Sequence, residues 1–176
     1  MNITKVENFS VDIEELQSQS EYFLDDSVWN KHNQLCFLNT PDVSPNMHQG
    51  AGNVLSEGYP ASGLNEKDFT VFNPMWTGTI FEDIYKNFPL PVTRMRMMKI
   101  PPKRCYSMHI DGQGEIRYHI AVYTNPYAFF VYGDKQQMFH VPSDGNAYIF
   151  SVEEKHSAVN FDSSQARMHL VLNAVR

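Results

Sequence analysis

His109 and Asp111 are separated by a single residue, just before the turn residue Gly112. Residues two apart on a β-strand point to the same face, so these two side chains can bind one ion together. The spacing alone is not specific, but His156, in the segment EEKHSAVNF, supplies a third candidate ligand. Two imidazoles and one carboxylate on one side of a metal leave three positions open, which suits a non-haem Fe(II) site. Zinc would favour a tetrahedral set, often with another His or Cys.

The second half of the chain, which must position these residues, has the pattern of an all-β fold. From residue 92 onward, short β-branched and aromatic runs alternate with turn residues. Short strands at regular spacing, with no helices between them, indicate an antiparallel sandwich or barrel. The eight predicted strands are 92–100, 105–110, 116–124, 128–132, 137–141, 146–151, 156–160 and 166–174.

Two of these strands place polar residues opposite an apolar stripe. Arg117 and His119 share one face of 116–124, while Tyr118, Ile120 and Val122 share the other. Strand 166–174 repeats the arrangement, with Arg167, His169 and Val171 on one face and Met168, Leu170 and Leu172 on the other. A polar face of this kind is either solvated or lines a polar pocket.

Residues 1–70 are predicted to form a helix and a long loop. Ser10 can cap a helix that runs to about Phe23, and residues 39–63 are dense in Pro, Gly, Ser and Asn. A loop of that length is either a binding loop or a mobile connection. A second helix is predicted to start at Thr79, with Glu82 completing a capping box, and to stop at Pro89. We expect a single domain over 1–176, with its β core at 71–176.

The charge distribution limits the possible partners. The net charge is −6, and residues 1–60 contain nine acidic residues but only two basic ones. This acidic balance disfavours nucleic-acid binding. One short region is basic and is interpreted either as a solvated strand face or as a pocket for small carboxylates. Its residues are Arg94, Arg96, Lys99, Lys103, Arg104 and Arg117.

The cellular compartment of the protein is predicted from its cysteine content and from the hydropathy of its sequence. Cys36 and Cys105 are too few for a disulfide framework and lack CxxC spacing, which favours a reducing compartment. The sequence contains no signal-peptide pattern and no transmembrane run. We therefore expect a cytoplasmic protein without a membrane partner.

Several motifs together resemble the aspartyl/asparaginyl β-hydroxylase family of Fe(II)- and 2-oxoglutarate (2OG)-dependent oxygenases, in particular its proline cis-hydroxylase-like branch. The motifs are RMRMMKIPP, HID, RYHIAVYTNPYAFF, HSAVN and RMHLVL, and the similarity runs from about residue 72 to 174. The resemblance implies a double-stranded β-helix (a cupin-like jelly roll) of eight strands, the number counted above.

The resemblance also implies roles for individual residues. His109, Asp111 and His156 match the iron ligands, and Arg167 matches the arginine that pairs with the 5-carboxylate of 2OG. Arg117 and His119 match positions that contact the carboxylate of the cofactor or of the substrate. The presence of Asp111 favours the proline-hydroxylase-like branch over the vertebrate-type aspartyl hydroxylases, and it argues against halogenation.

The expected function is a dioxygenase that uses Fe(II), 2OG and O₂ to hydroxylate an unactivated C–H bond. The expected substrate carries a carboxylate and is a free amino acid such as proline, or an Asp, Asn or Pro residue of a peptide or protein. Two alternatives stay open: a cupin-like metalloenzyme that does not use 2OG, and a non-catalytic ligand-binding barrel. The sequence does not indicate the oligomeric state.

Overall fold

The computed structural model describes residues 3–41, 46–52, 65–111 and 116–174, which contain two α-helices and twelve strands. The helices are α1 (Ile13–Gln19) and α2 (Ile80–Asn87). The strands of the first half are β1 (Thr4–Ser10), β2 (Gln34–Cys36), β3 (Leu38–Asn39) and β4 (Val71–Phe72). The strands of the second half are β5 (Val92–Ile100), β6 (Arg104–Cys105), β7 (Ile116–Tyr123), β8 (Ala128–Tyr132), β9 (Gln137–Phe139), β10 (Asn146–Phe150), β11 (His156–Asn160) and β12 (Arg167–Ala174).

Most of these strands belong to two antiparallel sheets that face each other. The large sheet has the order β1-β10-β7-β12-β5-β2, and the small sheet has the order β6-β11-β8-β9. The remaining strands, β3 and β4, pair only with each other. The prediction of a mainly β fold with flanking helices is therefore confirmed.

The central strands of the large sheet, β7 and β12, are largely buried on both faces. Tyr118, Ile120 and Leu170 belong to the main hydrophobic core, together with α1 and α2. The opposite face carries Arg117 and Arg167 and looks toward the small sheet. The polar faces predicted from sequence thus line an interior cavity and are not solvated.

The N-terminal part differs from its prediction. The first helix is shorter, because Asp12 and not Ser10 caps it: the Asp12 carboxylate accepts from the amides of Glu14 and Glu15. Ser10 instead ends β1, which completes one edge of the large sheet beside β10. Besides a helix, the described part of residues 1–70 also contains β1, β2 and β3.

The predicted capping box of the second helix is also wrong in detail. Thr79 is the N-cap residue of α2, but its hydroxyl donates to the carbonyl of Trp76. The Glu82 carboxylate accepts from the amide of Gly78, one residue before the expected donor. The end of the helix is as predicted, since α2 stops at Asn87, two residues before Pro89.

Two further predictions have partial outcomes. Predicted strand 105–110 is interrupted: Arg104–Cys105 pairs with β11, and His109 forms an isolated bridge further on. Most of the predicted loop 39–63 lies outside the described residues.

The thiol of Cys36 is free and buried, whereas that of Cys105 is free and exposed. In the described ranges, no helix has the length and apolar character needed to cross a bilayer.

Candidate metal centre

The structure brings together the three residues that the sequence analysis proposed as ligands. One ligand atom from each of His109, Asp111 and His156 lies within 4.8 Å of the other two. The two carboxylate oxygens of Asp111 are each 3.5 Å from an imidazole, Oδ1 from His109 Nε2 and Oδ2 from His156 Nε2. This spacing leaves room for one cation between the three groups.

Backbone pairing fixes the positions of these residues. His109 and His156 form an antiparallel bridge, in which each amide donates to the carbonyl of the other at 2.9 Å. The amide of Asp111 donates to the carbonyl of Val152, also at 2.9 Å. The two imidazole rings consequently lie side by side, with their centroids 4.6 Å apart.

Each imidazole is oriented by a backbone carbonyl two residues before it. Nδ1 of His109 lies 2.7 Å from the carbonyl oxygen of Ser107, and Nδ1 of His156 lies 2.8 Å from that of Glu154. A carbonyl only accepts, so in both rings Nδ1 is the donor and Nε2 keeps its lone pair. Metal-binding histidines are typically held in this way, with the second nitrogen free for the ion.

The Asp111 carboxyl is kept ionised by its surroundings. Burial by itself would raise its pKa, but the neighbouring His156 and the positive charge of Arg117 hold the pKa below its ordinary value. Asp111 is therefore a carboxylate at neutral pH, as an Fe(II) ligand must be.

A cavity lies between the two sheets, and the three candidate ligands are part of its wall. Its other polar lining residues are Tyr106, Arg117, His119 and Arg167. Its apolar lining residues are Met98, Phe130, Phe150, Val152, Ala158 and Val171. A largely apolar cavity with a few convergent polar groups is the usual form of a small-molecule site.

The buried side chain of Arg167 lines this cavity. Its guanidinium lies over the ring of Phe130, 4.7 Å from the centroid, and its Nη2 is 3.1 Å from His169 Nδ1. Within the described part of the chain, no carboxylate pairs with it. Burial lowers the pKa of Arg167 to about 10, which still leaves the group charged at neutral pH. An unpaired buried guanidinium is costly, and an anionic ligand would relieve that cost.

Tyr106 also belongs to this region, and the sequence analysis did not identify it. Its hydroxyl is buried and has no hydrogen-bond partner among the described residues. Burial raises its pKa, and the nearby charge of Arg167 acts in the opposite direction. Strict alternation along 105–110 would place Tyr106 on the face opposite His109, but the strand is interrupted between them, and both residues reach the cavity.

His119, a predicted cofactor-binding residue, lies in the cavity wall between two aromatic rings. Its centroid is 4.9 Å from that of Phe130 and 4.8 Å from that of Phe150. Burial and then the charge of Arg167 hold the pKa of His119 well below its ordinary value, so the ring is neutral. Its Nδ1 has no partner in the described ranges and is available to a ligand.

Arg117, the other predicted cofactor-binding residue, contacts two carboxylates. Its Nη1 lies 2.7 Å from Asp111 Oδ2, and its Nη2 lies 3.4 Å from Glu66 Oε1. Arg117 therefore lines the cavity and is at the same time bonded to a candidate metal ligand. Its role as a cofactor-binding residue stays a prediction.

Comparisons with known proteins find similarity in structure only. No protein-family model matches the chain, and no curated protein matches it in sequence. Among solved structures, the chain is similar to the viral collagen prolyl hydroxylase vCPH of Paramecium Bursaria Chlorella virus-1 in its 2OG complex. The TM-score is 0.53 at 11% identity, over 99% of this chain and 97% of that one. The likeness is one of fold.

A second solved structure supports the same fold. AviO1 from Streptomyces viridochromogenes Tue57 has a TM-score of 0.53 at 12% identity, over 99% of this chain and 89% of that chain. The chain thus has the double-stranded β-helix predicted from sequence. Identities this low carry no information on substrate.

The donor atoms fit the metal that the sequence predicts. Two imidazole Nε2 atoms and one carboxylate, all facing the same cavity, form the two-histidine, one-carboxylate set typical of non-haem Fe(II). A closed zinc site would need a fourth protein ligand, and no fourth His, Cys, Asp or Glu joins this group among the described residues.

Proposed function

We propose that the protein is an Fe(II)- and 2OG-dependent oxygenase that hydroxylates an unactivated C–H bond. The observation that carries this proposal is the position of Arg167 in the same cavity as the His109–Asp111–His156 group. Arg167 is a buried cation with no carboxylate partner among the described residues. A bare metal site would not need that guanidinium, whereas a bidentate arginine is suited to a dicarboxylate cosubstrate.

The roles of the residues follow from this proposal. Bound iron and 2OG supply the oxidising chemistry. His109, Asp111 and His156 hold the metal on one side, through two imidazole Nε2 atoms and one carboxylate that face the cavity. Arg167 and the Tyr106 hydroxyl bind the distal carboxylate of 2OG, and the neutral His119 offers Nδ1 to cofactor or substrate. Phe130, Phe150 and Val152 keep bulk water away from the reacting groups.

The substrate we propose carries a carboxylate, and buried charge supports this choice. Arg96 is fully buried, and its side-chain partners in the described ranges are two amide oxygens, Gln34 Oε1 at 3.1 Å and Asn173 Oδ1 at 3.4 Å. Its Nε has no hydrogen-bond partner there. Burial and then the charge of Arg117 lower the pKa of Arg96 to about 10, and the charge of Asp111 acts in the opposite direction. Arg96 is therefore a second charged guanidinium, with no carboxylate as a hydrogen-bond partner among the described residues.

Other parts of the proposal rest on sequence alone. We place the chain in the proline cis-hydroxylase-like branch of the aspartyl/asparaginyl β-hydroxylase family, acting on a free amino acid or on a residue of a peptide. A cytoplasmic location, and the absence of nucleic-acid and membrane partners, are proposals of the same kind. Release of succinate with a panel of free amino acids and short peptides would identify the substrate class.

The decisive experiment is an anaerobic titration of the metal-free protein with Fe(II) and then with 2OG. The expected result is the weak visible charge-transfer band of the chelated complex, and its loss in Asp111→Ala. In Arg167→Met the band should need a much higher 2OG concentration, while the exposed control Arg104→Met should behave like the unmodified protein.

Other outcomes select the alternatives. If Fe(II) binds but 2OG produces no band, the cupin-like metalloenzyme that does not use 2OG is the better description. If no metal binds, the protein is a non-catalytic barrel, and the proposal is wrong.

A further inference from the structure

A series of ionic contacts leads from the candidate metal ligand Asp111 to the N-terminal half of the chain. Arg117 Nη1 forms an ion pair with Asp111 Oδ2 at 2.7 Å, and its Nη2 lies 3.4 Å from Glu66 Oε1. Glu66 also pairs with Arg94 and accepts from the Asn173 side-chain amide. Arg117 thus bridges two carboxylates, of which only Asp111 belongs to the metal group.

The far end of this series is firmly held. Arg94 lies in a β-bulge, since β5 has one more residue than β12 between the pairs Val171↔Arg96 and Asn173↔Thr93. The Arg94 backbone has φ of 41°, a left-handed conformation that costs free energy in a residue other than glycine. Its amide donates to the carbonyl of Phe69 at 3.0 Å, which attaches the short turn containing Glu66 to β5.

The Arg94 side chain reinforces this attachment. Its Nε donates to the carbonyl of Gly50 at 2.9 Å, and the guanidinium is almost fully buried. Glu66 is therefore fixed relative to the large sheet, and it can restrain Arg117 from the side opposite Asp111.

We propose that Arg117 and Glu66 are positioning residues that make Asp111 a ligand through one oxygen only. A carboxylate can give a cation one oxygen or two. Because Oδ2 is in ion-pair contact with the guanidinium of Arg117, Oδ1 is the oxygen left for the metal. Binding through one oxygen preserves the open positions that the cosubstrate and O₂ require. This inference rests on the proposed metal centre.

Two effects of Arg117 oppose each other, which makes the inference testable. Its positive charge repels a divalent cation, so a charge effect alone predicts that Arg117→Gln binds metal more tightly. Loss of an outer partner that orients a ligand typically weakens metal affinity by about 10- to 100-fold. The sign of the change in affinity therefore distinguishes orientation from simple repulsion.

The experiment measures Mn(II) affinity by calorimetry and the visible absorption of the Co(II)-loaded protein, which reports coordination. The variants are Arg117→Gln, Arg117→Lys and Glu66→Gln. Arg104→Gln serves as the control, since it makes the same charge change at an exposed position on β6. We expect Mn(II) affinity to fall by about 10-fold in Arg117→Gln, together with a changed Co(II) spectrum. Glu66→Gln should lower the Mn(II) affinity and change the Co(II) spectrum, but by less than Arg117→Gln does. Arg117→Lys should lie between Arg117→Gln and the unmodified protein. Arg104→Gln should leave both the affinity and the spectrum unchanged.

Tighter Mn(II) binding in Arg117→Gln, with an unchanged Co(II) spectrum, would overturn the inference. Thermal unfolding monitors whether each variant folds. If Arg117→Gln does not fold, Glu66→Gln decides, and an unchanged affinity and spectrum in that variant would contradict the inference. Failure of the unmodified protein to bind either metal would instead remove the proposed function itself.

Discussion

Arg167 donates a hydrogen bond from Nη2 to Nδ1 of His169, 3.1 Å away on the same face of β12. A guanidinium in a protein is always a donor, so His169 Nδ1 must be unprotonated and the neutral ring carries its proton on Nε2. Burial, and then the charge of Arg167, hold the pKa of His169 well below its ordinary value. His169 therefore acts as a fixed acceptor that orients Arg167.

This relationship predicts that His169→Leu impairs binding of 2OG more than His169→Asn does. Leucine removes the acceptor, whereas the asparagine carbonyl can replace it. A hydrogen bond to a charged group contributes about 1.5–3 kcal/mol, so we expect 2OG affinity to fall roughly 10- to 100-fold in His169→Leu. Calorimetry of the Mn(II)-loaded protein with 2OG measures this. Equal affinities in the two variants would show that His169 does not orient Arg167.

Tyr106→Phe should weaken 2OG binding without weakening metal binding. The buried hydroxyl has no partner in the described structure, so its removal leaves no protein group unsatisfied, and the stability of the metal-free protein should not decrease. We expect about 10-fold weaker 2OG binding and an unchanged Mn(II) affinity. Tyr127→Phe, at an exposed tyrosine, is the control. Unaltered 2OG affinity in Tyr106→Phe would exclude the hydroxyl from the site.

His156→Ala should abolish stoichiometric metal binding. The variant removes one of three protein ligands, and no other His, Cys, Asp or Glu of the described chain belongs to the group. The exposed His48 provides the matched control as His48→Ala, which should bind one Mn(II) per chain. Retained stoichiometric binding in His156→Ala would remove this residue from the metal centre.

Arg96→Met should stabilise the protein while impairing turnover. Among the described residues, the hydrogen-bond partners of the buried guanidinium are two amide oxygens, and replacing buried charge by a well-packed apolar side chain is often stabilising. We expect the free energy of unfolding to rise by about 1–3 kcal/mol in denaturant titration. At the same time, KM for a carboxylate substrate should increase. A large loss of stability would show that Arg96 is a structural residue.

The raised pKa of Tyr132 leads us to expect that the protein loses stability in alkaline solution. Burial, and then the charge of Glu154, raise the pKa of Tyr132 from its ordinary value of 10.0 to about 12. Between these values the unfolded chain loses the phenolic proton and the folded chain keeps it, so the free energy of unfolding falls as pH rises. Denaturant titrations at about pH 9 and about pH 11 should show a smaller decrease in Tyr132→Phe. The same decrease in both proteins would contradict this assignment.

Local sequence patterns predicted the β core well, because alternation shows which residues of a strand share a face. β7 and β12 carry strict alternation, and both the strands and their polar faces were predicted correctly. The resemblance added Arg167 and the order of the candidate ligands. The strand predictions depended on residues close together in the chain, whereas the ligand set joined His109 and Asp111 to the distant His156.

The remaining features arise from contacts that local patterns do not encode. Thr4–Ser10 becomes a strand because β10 offers an edge, so Ser10 cannot also cap a helix. Tyr106 reaches the cavity because pairing with β11 is interrupted before His109. Glu66 meets Arg117 only after the chain has folded, which no spacing in the sequence indicates.

The backbone bridge between His109 and His156 has a consequence for the order of folding. These residues are far apart in sequence, and their Nε2 atoms converge only after β11 has docked beside the segment that carries His109. An unfolded chain cannot hold the ion in this geometry, so metal binds the native state and stabilises it by mass action. If the bridge forms only after the folding transition state, added metal should slow unfolding and leave the folding rate unchanged. The ion would then stabilise the barrel after it has folded and would not direct its folding.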